Sequence, residues 1–285
     1  MHYGIEVVPF GDFSDPRQIV RLAQAAEKSG WEGLWIWDHV LMPYGVGDPW
    51  ITLAAVAACT QSIKLCAGVS PLPRYRPHLL ARTLAGLDQL SGGRVIFSTG
   101  LGIAADFAPF GEPAEDKTRA AMLDEGLELL AGYLSGEETT HHGKYYDAEA
   151  VRLVPGPLQK PRLPVWIGGG SNAALRRAAR WDGWIMGTVN EKSEISMSPE
   201  KIACQVAFIL QQREAETPFD IAVDGVTQAG ESSLVEEYRQ AGATWWFEII
   251  HQLRGSLPEL MQRIQAGPPE KNINRQEKEE AKKTL

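Results

Sequence analysis

The chain has 285 residues, 44% hydrophobic and 22% charged, which is ordinary globular composition and enough for one large domain or two small ones. A formal net charge of −8 leaves no electrostatic footprint for nucleic acid or an anionic membrane surface. Cys59, Cys66 and Cys204 lack metal-ligand or CxxC spacing and read as reduced thiols of a cytoplasmic protein, the N-terminus has no signal-peptide pattern, and no apolar run approaches the roughly 20 residues that span a bilayer.

Residues 3–8 form the first strand candidate, ended by Pro9. A helix follows over 16–29, with Asp15 as N-cap, Pro16 at its first position and Gly30 at its end. Residues 34–37, preceded by Gly33, are short, aromatic and β-branched, and read as a buried strand. The next helix is 49–60, capped by Asp48. Strand 63–69, helix 77–90 and strand 94–97 come next, then a glycine-containing loop from Ser98 to Gly102. The fourth helix is 117–134, with a stripe of Met122, Leu123, Leu127, Leu130 and Leu134.

The rhythm then breaks. Residues 139–154 read as an excursion or hairpin outside the main sheet, and 155–164 as a proline-rich extended connection. It resumes with strand 165–167, a turn through Gly168, Gly169, Gly170 and Ser171, and helix 172–180. Strand 183–186, helix 199–214, strand 219–223, helix 232–240, strand 244–250 and helix 256–265 complete it.

Eight strands each followed by a helix force a parallel sheet with right-handed crossovers. Eight units in roughly 250 residues predict a single α/β domain, a closed (β/α)8 TIM barrel, with an insertion between the fourth and fifth units. An open doubly wound sheet is the rival, disfavoured because the first βα turn lacks GxGxxG. Residues 1–267 are expected to be the barrel, and 268–285 a polar, flexible tail.

Ligands of parallel α/β proteins bind at the carboxyl ends of the strands. Asp38 and His39 follow the second strand there, a carboxylate beside an imidazole where a substrate could reach it. The same residues also read as a cap and a packing histidine; the repeating units around them favour the chemical reading. Gly68 and Val69, with Ser70 after them, mark a bulge or a close backbone approach at the end of the third strand. Ser98, Thr99 and Gly100 offer bare backbone N–H groups. The glycine run to Ser171 before a helix is a candidate anion site, or equally a turn with Ser171 as N-cap. Glu6 and Glu248 lie on the first and last strands, and a buried acid there needs a partner or a function. No HxH, HExxH or GxSxG occurs, which argues against a metal site or a serine nucleophile.

These residues sit within a wider pattern. Its segments are Gly30 to His39, Leu87 to Arg94 (LDQLSGGR), Asp106 to Gly111, Gly143 to Tyr146, Pro164 to Ser171, Ala178 to Trp184 and Ala241 to Trp246. In all of them, in order, the chain resembles the bacterial luciferase-like superfamily of flavin- and F420-dependent oxidoreductases, the luciferase-like monooxygenase family. The resemblance implies a barrel, commonly dimeric, binding deazaflavin F420 or FMN, with F420 slightly favoured by the Asp38-His39 pair. It implies a homodimer acting on a small-molecule substrate. Gly68 and Val69 match a bulge on which the ring leans, often with a cis peptide. Ser98 to Gly102 match the loop beside the ring, Gly168 to Ser171 the phosphate turn, and Asp38 and His39 the pair that handles the proton accompanying hydride transfer. Ser98 and Ile103 depart from the glycine and tryptophan common in the family, which bears on the fit of ring and substrate. The expected activity is hydride transfer between F420 and an organic substrate. The alternatives are an FMN-dependent monooxygenase and a flavin-binding protein without turnover.

Overall fold

Asp15 and Asp48 set the first two helices where their positions predict. Each side-chain oxygen accepts a backbone N–H of the first turn, from Arg17 and from Ile51, and a proline follows each cap. The computed structural model describes residues 1–190, 192 and 194–269. In chain order its strands and helices are β1 (His2–Val7), α1 (Pro16–Lys28), β2 (Gly33–Ile36), α2 (Pro49–Cys59), β3 (Lys64–Pro71), α3 (Pro77–Ser91), β4 (Val95–Gly100) and α4 (Asp116–Ser135). Then come β5 (Thr139–His142), β6 (Asp147–Val151), β7 (Val165–Gly168), α5 (Asn172–Ala178), β8 (Gly183–Met186) and α6 (Pro199–Gln212). The last elements are β9 (Asp220–Gly225), α7 (Ser233–Gln240), β10 (Trp245–Ile250) and α8 (Leu257–Gln265).

Eight parallel strands close into a barrel in the order β1, β10, β9, β8, β7, β4, β3, β2. The predicted (β/α)8 barrel is therefore the fold. β5 and β6 pair antiparallel with each other, outside the wall. Glu125 of α4 holds their connection by accepting the N–H groups of Lys144, Tyr145 and Tyr146 at 2.7–3.1 Å. The tail expected over 268–285 lies, from residue 270 onward, outside the described residues. Among the described residues no helix is long and apolar enough to cross a membrane.

Strand alternation sorts the core into two shells. One set of residues, among them Leu34, Leu65, Phe97, Ile167 and Trp246, packs outward under the helices. The other fills the lumen: Trp35, Cys66, Ile96, Trp166, Trp245 and Phe247. Glycines on facing strands make room for these rings. A Cβ at Gly4 would meet Phe247 at 2.4 Å, and one at Gly183 would meet Trp166 at 2.4 Å. The lumen is therefore plugged by aromatics, and the carboxyl ends of the strands form a floor with a mouth above it.

Among the strands that run further than their sequence suggests, β4 and β9 bear on the site. β4 continues through Ser98, Thr99 and Gly100, because Ser70 and Pro71 on β3 and Ile167 on β7 carry the ladder onward. Those three residues are fully buried strand, which corrects the expectation of a loop with bare N–H groups. β9 extends to Gly225 and so brings Asp224 into the barrel wall.

Candidate active site

β2 ends at Ile36, and Trp37, Asp38 and His39 continue from it at the mouth. In extended backbone adjacent side chains point to opposite sides. Asp38 and His39 accordingly separate, as the alternation of an extended segment leads one to expect. Asp38 turns to the β3 side, where it is buried, paired with the Arg74 guanidinium, and accepts the Tyr75 hydroxyl at 2.6 Å. Burial, and then the Asp38 charge, push the Tyr75 phenol well above its ordinary pKa, so it stays a donor.

The imidazole has another carboxylate. His39 Nδ1 lies 2.7 Å from Oδ2 of Asp106, which comes from a short turn after β4 and is 1% exposed. Asp106 is itself fixed, because Oδ1 accepts the N–H groups of Val40 and Leu41 at 3.3 and 3.2 Å. A carboxylate on Nδ1 requires the proton there, which leaves Nε2 as the working nitrogen. The ring stands beside Trp37, with centroids 5.7 Å apart.

Two acids form the floor. Glu6 of β1 is fully buried and accepts the Trp37 indole N–H. Asp224 of β9 is 2% exposed and accepts the Thr188 N–H at 2.5 Å. Burial raises both pKa values. Asp224 is pushed to about 6, and Glu6 rises well above the carboxylate range, with the Asp224 charge adding to its burial. Burial thus favours the protonated form of both acids, and the Asp224 charge favours it further at Glu6.

Above this floor lies a cavity of about 530 Å³, within the range of small-molecule sites. Its walls are mostly apolar, from Val8, Phe10, Trp37, Ile249 and Leu253, and Asp224, Asn190 and His251 supply polarity. A cavity of similar size, about 520 Å³, opens at the amino end of the barrel. Several of its polar groups are engaged: His2 pairs with Glu32 at 2.6 Å, and Asp220 accepts from Thr244 and Trp245 at 3.3 and 3.2 Å. The carboxyl end is the candidate site because Asp224 and His251 border the space a ligand could occupy. Among the described residues no group of three or more His, Cys, Asp or Glu is arranged to hold a metal ion.

On the opposite side of the mouth β3 breaks register between Ala67 and Ser70, and the Gly68–Val69 peptide is cis. Gly68 adopts φ +149, and a Cβ there would strike the Ser98 carbonyl at 2.5 Å, so only glycine passes. Val69 is seated between glycines: a Cβ at Gly100 or Gly168 would meet its methyl groups at 2.8 or 2.7 Å. The result is an apolar seat facing the lumen. The Ser98 and Ser70 hydroxyls are buried without a hydrogen-bond partner. Thr99 is occupied otherwise, donating to Ser70 O at 2.7 Å and accepting from Leu72 N at 3.3 Å, which pins the exit of the bulge. The carbonyls of Gly169 and Gly170 are held by Trp184 and Gln205 at 2.9 and 3.1 Å, and Ser171 caps α5 through Ala174 N at 3.2 Å.

A family model described as luciferase-like monooxygenase matches residues 4–282. The chain belongs to the luciferase-like monooxygenase family. It is 33% identical over 180 residues to the F420-dependent glucose-6-phosphate dehydrogenase of Nakamurella multipartita, covering 60% of this chain and 52% of that one. It is 31% identical over 192 residues to the FMNH2-dependent dimethylsulfone monooxygenase of Pseudomonas putida, covering 66% of this chain and 53% of that one. The chain thus spans about half the length of these two enzymes. In fold it is similar to the coenzyme F420-dependent tetrahydromethanopterin reductase of Methanopyrus kandleri, with a TM-score of 0.76 at 20% identity, covering 93% of this chain and 96% of that one. Relatives within the luciferase-like family thus include both F420- and FMN-dependent enzymes.

Much of the luciferase-like sequence pattern is structural here. Asp88, of LDQLSGGR, accepts the N–H groups of Leu158 and Gln159 at 2.8 and 3.0 Å. Arg94 closes the end of α2, donating to the carbonyls of Ala57, Thr60 and Ile63 at 2.8–3.0 Å. Asp182 fixes the start of β7 through Val165 N at 2.8 Å. Asp106, Asp224 and His251 received no role from the sequence. The last two had a usable signal: they continue the inward alternation of Ala222 and of Phe247 and Ile249.

Proposed function

We propose that the protein is an oxidoreductase that transfers hydride between deazaflavin F420 and a small, largely apolar organic substrate. The observation that carries this reading is the His39–Asp106 pair beside Trp37, whose indole lines the apolar cavity. Hydride transfer needs a proton to enter or leave with it, and imidazole exchanges one near neutral pH. The F420-dependent relatives support the choice of cofactor. The FMN-dependent relative keeps an oxygenating role as the alternative.

When bound, the deazaflavin would supply the hydride-carrying ring. Gly68, Val69, Ser98 and Gly100 are the residues we propose to hold it: an apolar seat and an unpartnered buried hydroxyl suit the face and edge of a flat heteroaromatic ring. Ser70 and Thr99 serve by shaping the bulge. Gly168, Gly169, Gly170 and Ser171 would take the phosphate end. His39 moves the proton through Nε2 while Asp106 keeps its tautomer, and Asp38 orients Arg74 and Tyr75 rather than acting on the reacting atoms. Burial favours a protonated Glu6 at the floor. We further propose a homodimer, on the resemblance alone, and a cytoplasmic location, on the cysteine usage; sedimentation of the purified protein checks the oligomeric state.

Titration of the purified protein with F420 and with FMN, followed by fluorescence, tests the cofactor. Tight binding of FMN alone would move the protein to the oxygenating branch, and binding without turnover across substrates would leave a carrier. The phosphate turn is tested at Gly170. Gly169 has φ +113, so any side chain there strains the backbone, whereas a Cβ built at Gly170 meets the flexible end of Gln205 at 3.2 Å, which must give slightly, and Met186 at an ordinary 3.5 Å. Gly170→Asp should weaken F420 binding by about tenfold or more through charge repulsion, with unchanged thermal unfolding. Unchanged affinity would place the anionic end elsewhere.

A further inference from the structure

His251 follows β10 and continues its inward-facing positions, so it lines the 530 Å³ cavity. It is 7% exposed, and its ring is stacked on Phe10 at 6.1 Å. Its Nδ1 accepts the backbone N–H of Leu253 at 3.2 Å. A ring nitrogen that accepts carries no proton, so in the neutral ring the hydrogen is on Nε2. Burial, and then the charge of Arg254, lower the pKa of His251 and keep the ring neutral. Arg254 is itself directed to the Glu248 carboxylate and the carbonyls of Ile249 and Thr227. Among the described residues, Nε2 meets no acceptor.

Two other polar groups of the cavity are engaged elsewhere. The Trp37 indole donates to Glu6, and the Asn190 amide donates to Glu194 at 2.9 Å while its oxygen accepts the N–H groups of Lys192 and Glu194. Tyr44 is 59% exposed at the rim. An apolar chamber with a fixed, neutral donor left over selects an apolar molecule that carries an acceptor oxygen, because an empty donor is costly when water is displaced.

We propose that His251 Nε2–H donates a hydrogen bond to a carbonyl or hydroxyl oxygen of the substrate, and that this contact sets how the substrate lies in the cavity. The proposal rests on the cavity being the substrate pocket, not on which cofactor is used. Its test therefore needs no cofactor. Cyclohexanone and methylenecyclohexane have nearly the same shape and differ in the acceptor oxygen. Each is titrated calorimetrically into the wild-type chain and into His251→Leu and His251→Gln. The affinity for the ketone relative to the alkene should fall about tenfold in His251→Leu, the worth of one hydrogen bond, and recover in part in His251→Gln, whose amide can donate. In the wild type, a long-range ¹⁵N–¹H spectrum, with the His251 signals assigned by their loss in His251→Gln, should show the neutral Nε2–H tautomer near neutral pH. An unchanged ratio in His251→Leu, no binding of either probe to the wild type, or an Nδ1–H or doubly protonated ring would each overturn the proposal. None of these outcomes bears on F420 affinity, which is measured separately.

Discussion

Replacing His39 with alanine should lower turnover about 10²–10⁴-fold while leaving F420 affinity within a small factor. The imidazole is held on its Nδ1 side by Asp106, so losing the ring removes a positioned proton carrier without opening the core. Its side chain is 22% exposed, and the apolar seat around Val69 belongs to another part of the mouth. Asp106→Asn should give an intermediate loss. The amide oxygen can still accept the N–H groups of Val40 and Leu41, but it no longer offers Nδ1 a carboxylate, so the tautomer is less well fixed. Steady-state rates followed by F420 absorbance, with binding measured on the same preparations, separate the two effects. Full activity in His39→Ala would leave the residue as packing at the barrel rim.

The fold was legible because each βα unit carries its own signals. Asp15-Pro16 and Asp48-Pro49 start helices by a local hydrogen bond, and a run such as Gly33 to Trp37 is a strand by composition. Such signals need nothing from the rest of the chain. The site depends on distant residues. His39 finds its carboxylate 67 residues later, on a turn whose position depends on barrel closure, and no local pattern in the sequence announces that meeting. Alternation along the strand already sets the neighbouring Asp38 on the other side, but it does not say which distant carboxylate takes its place. Ser98 to Gly100 looked like a loop because glycine and hydroxyl residues disfavour strands in isolation, yet two flanking strands carry their ladder. Asp224 and His251 were within reach of the alternation rule. Applying it required knowing how far β9 runs and that the inward parity of β10 continues past its last paired residue.

That rule also settles the question posed by the two acids of the barrel wall. Glu6 and Glu248 are both fully buried on adjacent strands, but they face opposite ways. Glu248 turns outward beneath the helices, where Arg254 and Arg263 lie at 2.5 and 3.2 Å and Thr227 donates twice at 2.9 and 2.6 Å. Glu248→Gln keeps the shape and removes the charge, leaving two largely buried guanidinium groups short of their anion. It should cost about 3–5 kcal/mol of stability, read from urea unfolding at neutral pH. Glu6 turns into the lumen, where burial and then the Asp224 charge favour its protonated form, so Glu6→Gln should exchange one neutral group for another and change stability by no more than about 1 kcal/mol. Glu6 also contributes to pH dependence. A carboxyl whose folded pKa is raised binds more protons folded than unfolded, so its contribution to stability is present at low pH and declines as pH rises from the ordinary carboxylate value toward the folded one. For Asp224 that decline falls between about 4 and about 6. In Glu6→Gln the titrating partner of Asp224 is gone. Asp224 should then titrate as a single group, and the pH–turnover profile should lose the limb that reports the pair. A stability loss in Glu6→Gln as large as that in Glu248→Gln would mean that Glu6 is ionised and paired in the fold, and the proton at the floor would have to be assigned elsewhere.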